Sequence, residues 1–143
     1  MIVAIVDTNI YFSAFYNPNG KEAEIIRRGN REELLLMSPD TVREELGRNL
    51  KLKLCLSGTQ VITIISSLPT VWIPRAEYGR FIENARLMLP HEEDAPILAC
   101  AMKFGAGILT GNTKHFRAAK AKKILIWSSA ELIKLLDKSV DNV

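Results

Sequence analysis

Apolar residues along the chain fall into two alternating patterns. Short unbroken runs of aliphatic and β-branched residues, the composition of strands covered on both faces, occur at about 2–6, at Leu34-Leu35-Leu36-Met37, at Thr70-Val71-Trp72-Ile73, at Gly107-Ile108-Leu109-Thr110 and at Ile124-Leu125-Ile126-Trp127. Between them lie stretches with helical spacing. A short helical turn is expected at 9–15, and a helix at about 20–29 follows Asn17-Pro18-Asn19-Gly20 and stops near Gly29-Asn30. A third helix, capped by Ser38 or Asp40, runs to about 53. Residues 58–68 are read as helical although Val61, Ile62, Ile64 and Ile65 also suit a strand. Helices follow over Arg75 to Leu89, ended by Pro90, over Ala95 to Phe104, ended by Gly105, and over Ser129 to Leu136. Strands alternating with helices predict an α/β fold, a parallel sheet with helices on both faces.

The first strand ends abruptly in Val6-Asp7-Thr8-Asn9. In open parallel sheets ligands bind beyond the carboxyl ends of the strands, so Asp7 faces a candidate site, although an acid there also suits a turn or cap. In the third helix Val42, Leu46 and Leu50 form the stripe to be buried. At about 100° per residue, Glu45 falls at the edge of that stripe and Glu44 nearly opposite, which makes Glu45 the inward carboxylate or an ion-paired rim residue. Asp94 heads the stripe Ile97, Leu98 and Ala101, while Glu92 and Glu93 project elsewhere; just before Ala95-Pro96, Asp94 also reads as an N-cap.

Three inward carboxylates would repel one another and hold their protons unless a cation neutralised them. Oxygen-only ligands favour Mg²⁺ or Mn²⁺ with several waters retained, and such an ion assists cleavage of a phosphodiester. The totals agree without adding much. A net charge of +3 over 143 residues is compatible with nucleic acid and too small to argue for it. Its distribution says more, because Lys114, His115, Arg117, Lys120, Lys122 and Lys123 crowd together after the acidic knot Glu92-Glu93-Asp94. That run reads as a phosphate-holding surface or a solvated loop. The length fits one domain, 1–143, with no linker or repeat to divide it. Cys55 and Cys100 lack any metal-binding or disulfide spacing and are expected to be buried and reduced. The apolar start is interrupted by Asp7 and Asn9 and has no basic residue before it, and no segment approaches the ~20 apolar residues of a membrane span, so a cytoplasmic protein is expected.

Four pieces in order, "VDTN", "VREEL", "DAPILACA" and "GILTGNTKHF", resemble the PIN domain family, and the likeness is nearest to the bacterial and archaeal branch that includes VapC-type toxins. The resemblance implies a three-layer α/β/α sandwich around a parallel sheet of four or five strands, acting as a Mg²⁺- or Mn²⁺-dependent ribonuclease. Asp7, Glu45 and Asp94 match the family's first three acids. Asn112, in Thr110-Gly111-Asn112, stands where a fourth acid is common; it keeps an oxygen acceptor, removes a negative charge and cannot serve as a base. Thr8, Asn9 and Thr110 are candidates to orient the carboxylates or the substrate, and Lys114, His115 and Arg117 to contact phosphate, with His115 also a candidate proton donor. The resemblance further implies RNA as substrate, a small antitoxin as partner and a homodimer. A noncatalytic RNA- or protein-binding module is the alternative, favoured by Asn112.

Overall fold

The computed structural model describes residues 1–141, with side chains through residue 138. Five parallel strands, β1 (Val3–Val6), β2 (Leu35–Pro39), β3 (Thr70–Ile73), β4 (Gly107–Leu109) and β5 (Ile126–Trp127), form one sheet in the order β3-β2-β1-β4-β5. The helices are α1 (Thr8–Tyr16), α2 (Lys21–Asn30), α3 (Asp40–Leu54), α4 (Gly58–Ser66), α5 (Arg75–Tyr78), α6 (Ile82–Met88), α7 (Ala95–Phe104) and α8 (Ser129–Asp141). They pack as two groups: α1 on α2 and α3, α3 on α4 and α2 on α8, and separately α5 and α6 on α7, which itself lies against β1, β2 and β4. Right-handed crossovers place groups that step in opposite directions along the sheet on opposite faces. The three-layer α/β sandwich expected from the sequence is therefore the fold.

The chain steps outward from β1 through β2 to β3, then returns past β1 to β4. That reversal leaves a crevice at the carboxyl ends of β1 and β4, the place where open α/β sheets hold ligands. Register there is direct: Val6 pairs with Leu109, and the Asp7 N–H donates to the Leu109 carbonyl at 3.0 Å. The central strands are sealed, with Ala4, Ile5, Val6, Leu36, Ile108 and Leu109 all fully buried.

A chain of hydroxyls ties the strand ends together. Ser38 Oγ donates to the Val6 carbonyl at 2.7 Å, so its oxygen accepts from Tyr11 Oη at 2.7 Å, and Tyr11 accepts in turn from Thr70 Oγ1 at 3.0 Å. β3, α1, β2 and β1 are thereby linked just below Asp7, and burial pushes the Tyr11 phenol above its ordinary pKa. Ser38 consequently does not cap α3; Pro39 occupies the cap position, and Asp40 Oδ1 accepts from the Thr41 N–H at 2.9 Å.

Several boundaries differ from the sequence pattern for local reasons. The segment read as one helix over Arg75 to Leu89 is α5, a 3-10 turn Gly79–Phe81 and α6, the break falling at a glycine, whose backbone freedom disfavours the helix. Of residues 58–68, Gly58–Ser66 are helical as α4, two residues shorter than expected, with Ser57 and Gln60 forming a reciprocal capping box that outweighs the β-branched content. The basic run is not a loop: Thr113–Lys122 forms a 3-10 segment anchored by buried Phe116 and Ala119. Cys55 is exposed, contrary to expectation, since it ends α3 in the left-handed region at φ 55°, while Cys100 is buried with its thiol pushed up to about 12 by burial. Among the described residues no helix is long and apolar enough to cross a membrane.

Replacing Tyr11 by Phe removes the acceptor of Thr70 and the donor of Ser38 without changing shape. Urea unfolding should show a loss of about 1–3 kcal/mol, the cost of leaving buried polar groups unmatched.

Candidate functional site

A cleft of about 470 Å³ opens at the carboxyl ends of β1 and β4. Asp7, Glu45, Asp94, Asn112 and His115 all line it, so the structure brings together the three acids that lie far apart in sequence. Asp7 follows β1 directly and caps α1, its Oδ1 accepting the Thr8 N–H at 2.8 Å. Its Oδ2 accepts from Thr110 Oγ1 at 2.8 Å, and Thr110 Oγ1 itself accepts the Asn112 N–H at 3.0 Å. Across the cleft, Thr8 Oγ1 donates to Glu45 Oε2 at 3.0 Å, which fixes the α3 carboxylate relative to β1. Thr8 and Thr110 are buried and orient the carboxylates. Asn9 acts on the backbone instead, its Oδ1 accepting the Gly111 N–H at 3.2 Å and so clasping the loop after β4 to the start of α1.

Asp94 ends a 3-10 turn, Glu92–Asp94, whose geometry is set by its N–H donating to the His91 carbonyl at 3.1 Å. Pro96 then sits in the first turn of α7, where its missing amide donor costs nothing. Only 7% of Asp94 is exposed, yet its side chain makes no cap hydrogen bond, so the capping role open to it from the sequence is not used. Its Oδ2 is buried and lies 3.2 Å from His115 Nδ1 in an approach that lacks hydrogen-bond alignment, leaving that oxygen with no donor. His115 in turn packs on His91, ring centres 4.3 Å apart.

The electrostatics follow from this geometry. Burial raises the Asp7 carboxyl above the ordinary carboxylate range; the Thr110 and Thr8 hydrogen bonds oppose that, and the charges of Asp94 and Glu45 add to it. Burial likewise raises Asp94, with His115 opposing and Glu93 adding. The carboxylates therefore feel one another across the cleft. They are nonetheless spread: among the described residues no three of His, Cys, Asp and Glu converge tightly enough to enclose a bare ion.

Not every expected contact faces this space. Lys114 and Arg117 are on the 3-10 segment outside the cleft lining, and Glu44 lies on the outer side of α3, in a different groove. The cations that do line the cleft, Arg48, Lys53, Arg75 and Arg86, come from α3, α5 and α6 and were not singled out in the sequence. Arg48, at i+3 from Glu45, was within reach of the same helical reasoning. Arg75 and Arg86 had no such signal, because they lie in separate helices, α5 and α6, on either side of the Gly79–Phe81 turn. Arg86 is engaged with Glu83 and Glu92, whereas Arg48, Lys53 and Arg75 have no carboxylate partner among the described residues.

A doubly wound sheet with an acid-lined cleft at its switch point defines the class of protein. Residues 5–128 match the family model described as PIN domain, and the chain belongs to that family. Similar folds occur in three solved complexes. VapBC2 from Rickettsia felis, bound to a DNA fragment from its promoter, has TM-score 0.64 and 16% identity, covering 89% of this chain and 98% of that one. VapBC-1 from nontypeable Haemophilus influenzae has TM-score 0.61 and 16% identity over 90% and 99%. A toxin-antitoxin complex from Klebsiella pneumoniae has TM-score 0.60 and 19% identity over 79% and 89%. No curated protein sequence gives a significant match.

Because Asp7 and Asp94 protonate at higher pH folded than unfolded, the folded chain holds more protons between the two values, and stability falls as pH rises through that window. In the absence of divalent cations, Asp7→Asn should thus raise the thermal midpoint at neutral pH by a few degrees in differential scanning calorimetry. An unchanged or lowered midpoint would show that the charge is not held against its preference.

Proposed function

We propose that this chain is a metal-dependent endoribonuclease of the toxin type, with Asp7, Glu45 and Asp94 holding Mg²⁺ or Mn²⁺ through a partly hydrated shell. The supporting observation is the buried Oδ2 of Asp94, in the same cleft as Asp7 and Glu45 and with only the misaligned His115 Nδ1 at 3.2 Å beside it. A carboxylate oxygen withdrawn from water with no aligned donor is one that a cation would satisfy. The donor set is all oxygen, which suits a hard divalent ion, and the spread of the acids suits one that keeps waters. Such an ion, when bound, polarises a phosphate oxygen and lowers the pKa of a water.

The residues of the chain supply the rest. Thr110 and Thr8 fix the rotamers of Asp7 and Glu45. Arg48, Lys53 and Arg75 offer unpaired charges to flanking phosphates. His115, beside Asp94 at the cleft wall, is our candidate to hand a proton to the leaving oxygen. Asn112 contributes an oxygen and no charge, which favours one ion held by the protein alone. The toxin-antitoxin neighbours support a small antitoxin as partner, where an inserted Arg or Lys would neutralise the cleft, and we extend the reading to a cytoplasmic homodimer acting on single-stranded or structured RNA. A noncatalytic binding module is the second reading, motivated by Asn112; calorimetric titration in which neither Mg²⁺ nor Mn²⁺ binds would favour it.

With Mn²⁺, the purified protein should cleave single-stranded RNA and Asp7→Asn should abolish cutting while remaining folded by circular dichroism. Thr110→Val, which keeps the shape and removes the donor to Asp7, should weaken cation binding or activity by about 10–100-fold. Full activity in Asp7→Asn would defeat the proposal.

A further inference from the structure

One row of α1 leads out of the cleft. Thr8, Phe12 and Tyr16 lie four residues apart, so they share a face of the helix. Thr8 holds Glu45, Phe12 lines the cleft, and Tyr16 stacks on Phe12 beyond it, ring centres 6.3 Å apart and planes within 9° of parallel. At 1.5 Å rise per residue the two rings stand about 6 and 12 Å along the axis from Thr8, roughly the span of one to a few nucleotide steps. Tyr16 is 70% exposed, and its neighbour Phe15 is exposed as well. From α3, the Lys53 ammonium lies 5.3 Å from the centre of the Phe12 ring, and Arg48 lines the same wall.

Three properties distinguish this feature from ordinary core. The rings are parallel to each other, Tyr16 is left open to solvent while Phe12 is half-buried beneath it, and the charge beside the pair, Lys53, is positive although the cleft floor is acidic. Apolar packing alone would bury Tyr16. A planar, π-faced ligand carrying a negative backbone matches all three, since bases stack on aromatic rings while cations track the phosphates. From this geometry we infer that the Phe12–Tyr16 pair is a stacking platform for an unpaired base of a single-stranded RNA, with Lys53 and Arg48 holding the adjoining phosphates. The inference rests on the nucleic-acid reading of the cleft and adds the residues that would hold a base beside it, since a base inside a duplex has no free face to offer the platform.

The test uses the full chain carrying Asp7→Asn as parent, so that RNA stays intact during measurement. A 5′-fluorescein-labelled single-stranded RNA of about 10 nucleotides, and the same RNA as a duplex, are titrated by fluorescence anisotropy. Tyr16→Ala should weaken single-strand binding about 5–100-fold and leave duplex binding unchanged, while Tyr16→Phe should behave as the parent. With 2-aminopurine in the RNA, the quenching seen on binding should be lost in Tyr16→Ala, and Lys53→Gln should flatten the salt dependence that Tyr16→Ala preserves. Affinities of Tyr16→Ala and Phe12→Leu within about twofold of the parent would overturn the platform and leave the aromatic pair as a protein-docking face. Equal losses for single strand and duplex, or no RNA binding by the parent, would overturn it too. Cleavage by the unaltered chain is followed in parallel: cutting without any Tyr16 effect removes the platform alone, and Tyr16-dependent binding without cutting removes the nuclease reading alone.

Discussion

The structure is organised around a carboxylate held where burial disfavours its charge. Asp7 closes the central strand, is surrounded by apolar packing on the strand side and feels Asp94 and Glu45 on the other. Two donors, the Thr110 hydroxyl and the Thr8 amide, restrain it without neutralising it. Three elements around the cleft meet at this arrangement. β4 supplies the register that brings Thr110 alongside, α1 starts on the Asp7 cap, and α3 is fixed through Thr8 and Glu45.

Such an arrangement requires a rigid support, since like charges would otherwise move apart. The fully buried central strands provide it, and the hydroxyl relay through Tyr11 and Ser38 extends it to the carbonyl of Val6. On the far wall, Asp94 is held by the packing of α7 and not by hydrogen bonds to its own side chain. The cleft is thus strained in charge and relaxed in backbone, a division that leaves its acids available to a ligand.

Much of this was legible in the sequence because it depends on periodicity. The strands, the parallel order and the convergence of Asp7, Glu45 and Asp94 follow from apolar runs, helical phase and the rule that sites lie at carboxyl ends of strands. What was hidden depends on contacts between distant segments. Charge density in sequence carries no direction, so it does not reveal that Lys114 and Arg117 lie outside the cleft lining while Phe116 and Ala119 of the same segment are buried. Arg75 and Arg86 come from separate helices on either side of the Gly79–Phe81 turn, so no single helical pattern in the sequence relates them. The Cys55 thiol was misjudged for a similar reason: cysteines are usually buried, but a helix terminus in the left-handed region overrode the preference.

The margins of the sheet complete the picture. β5 contributes only Ile126–Trp127, and β3, at the opposite margin, is four residues long and followed at once by Pro74, which cannot donate to a ladder. An incoming strand would find few rungs at either side, which guards against sheet-to-sheet polymerisation. Self-association, where it occurs, must therefore be written in helices and side chains, leaving the backbone out of the contact.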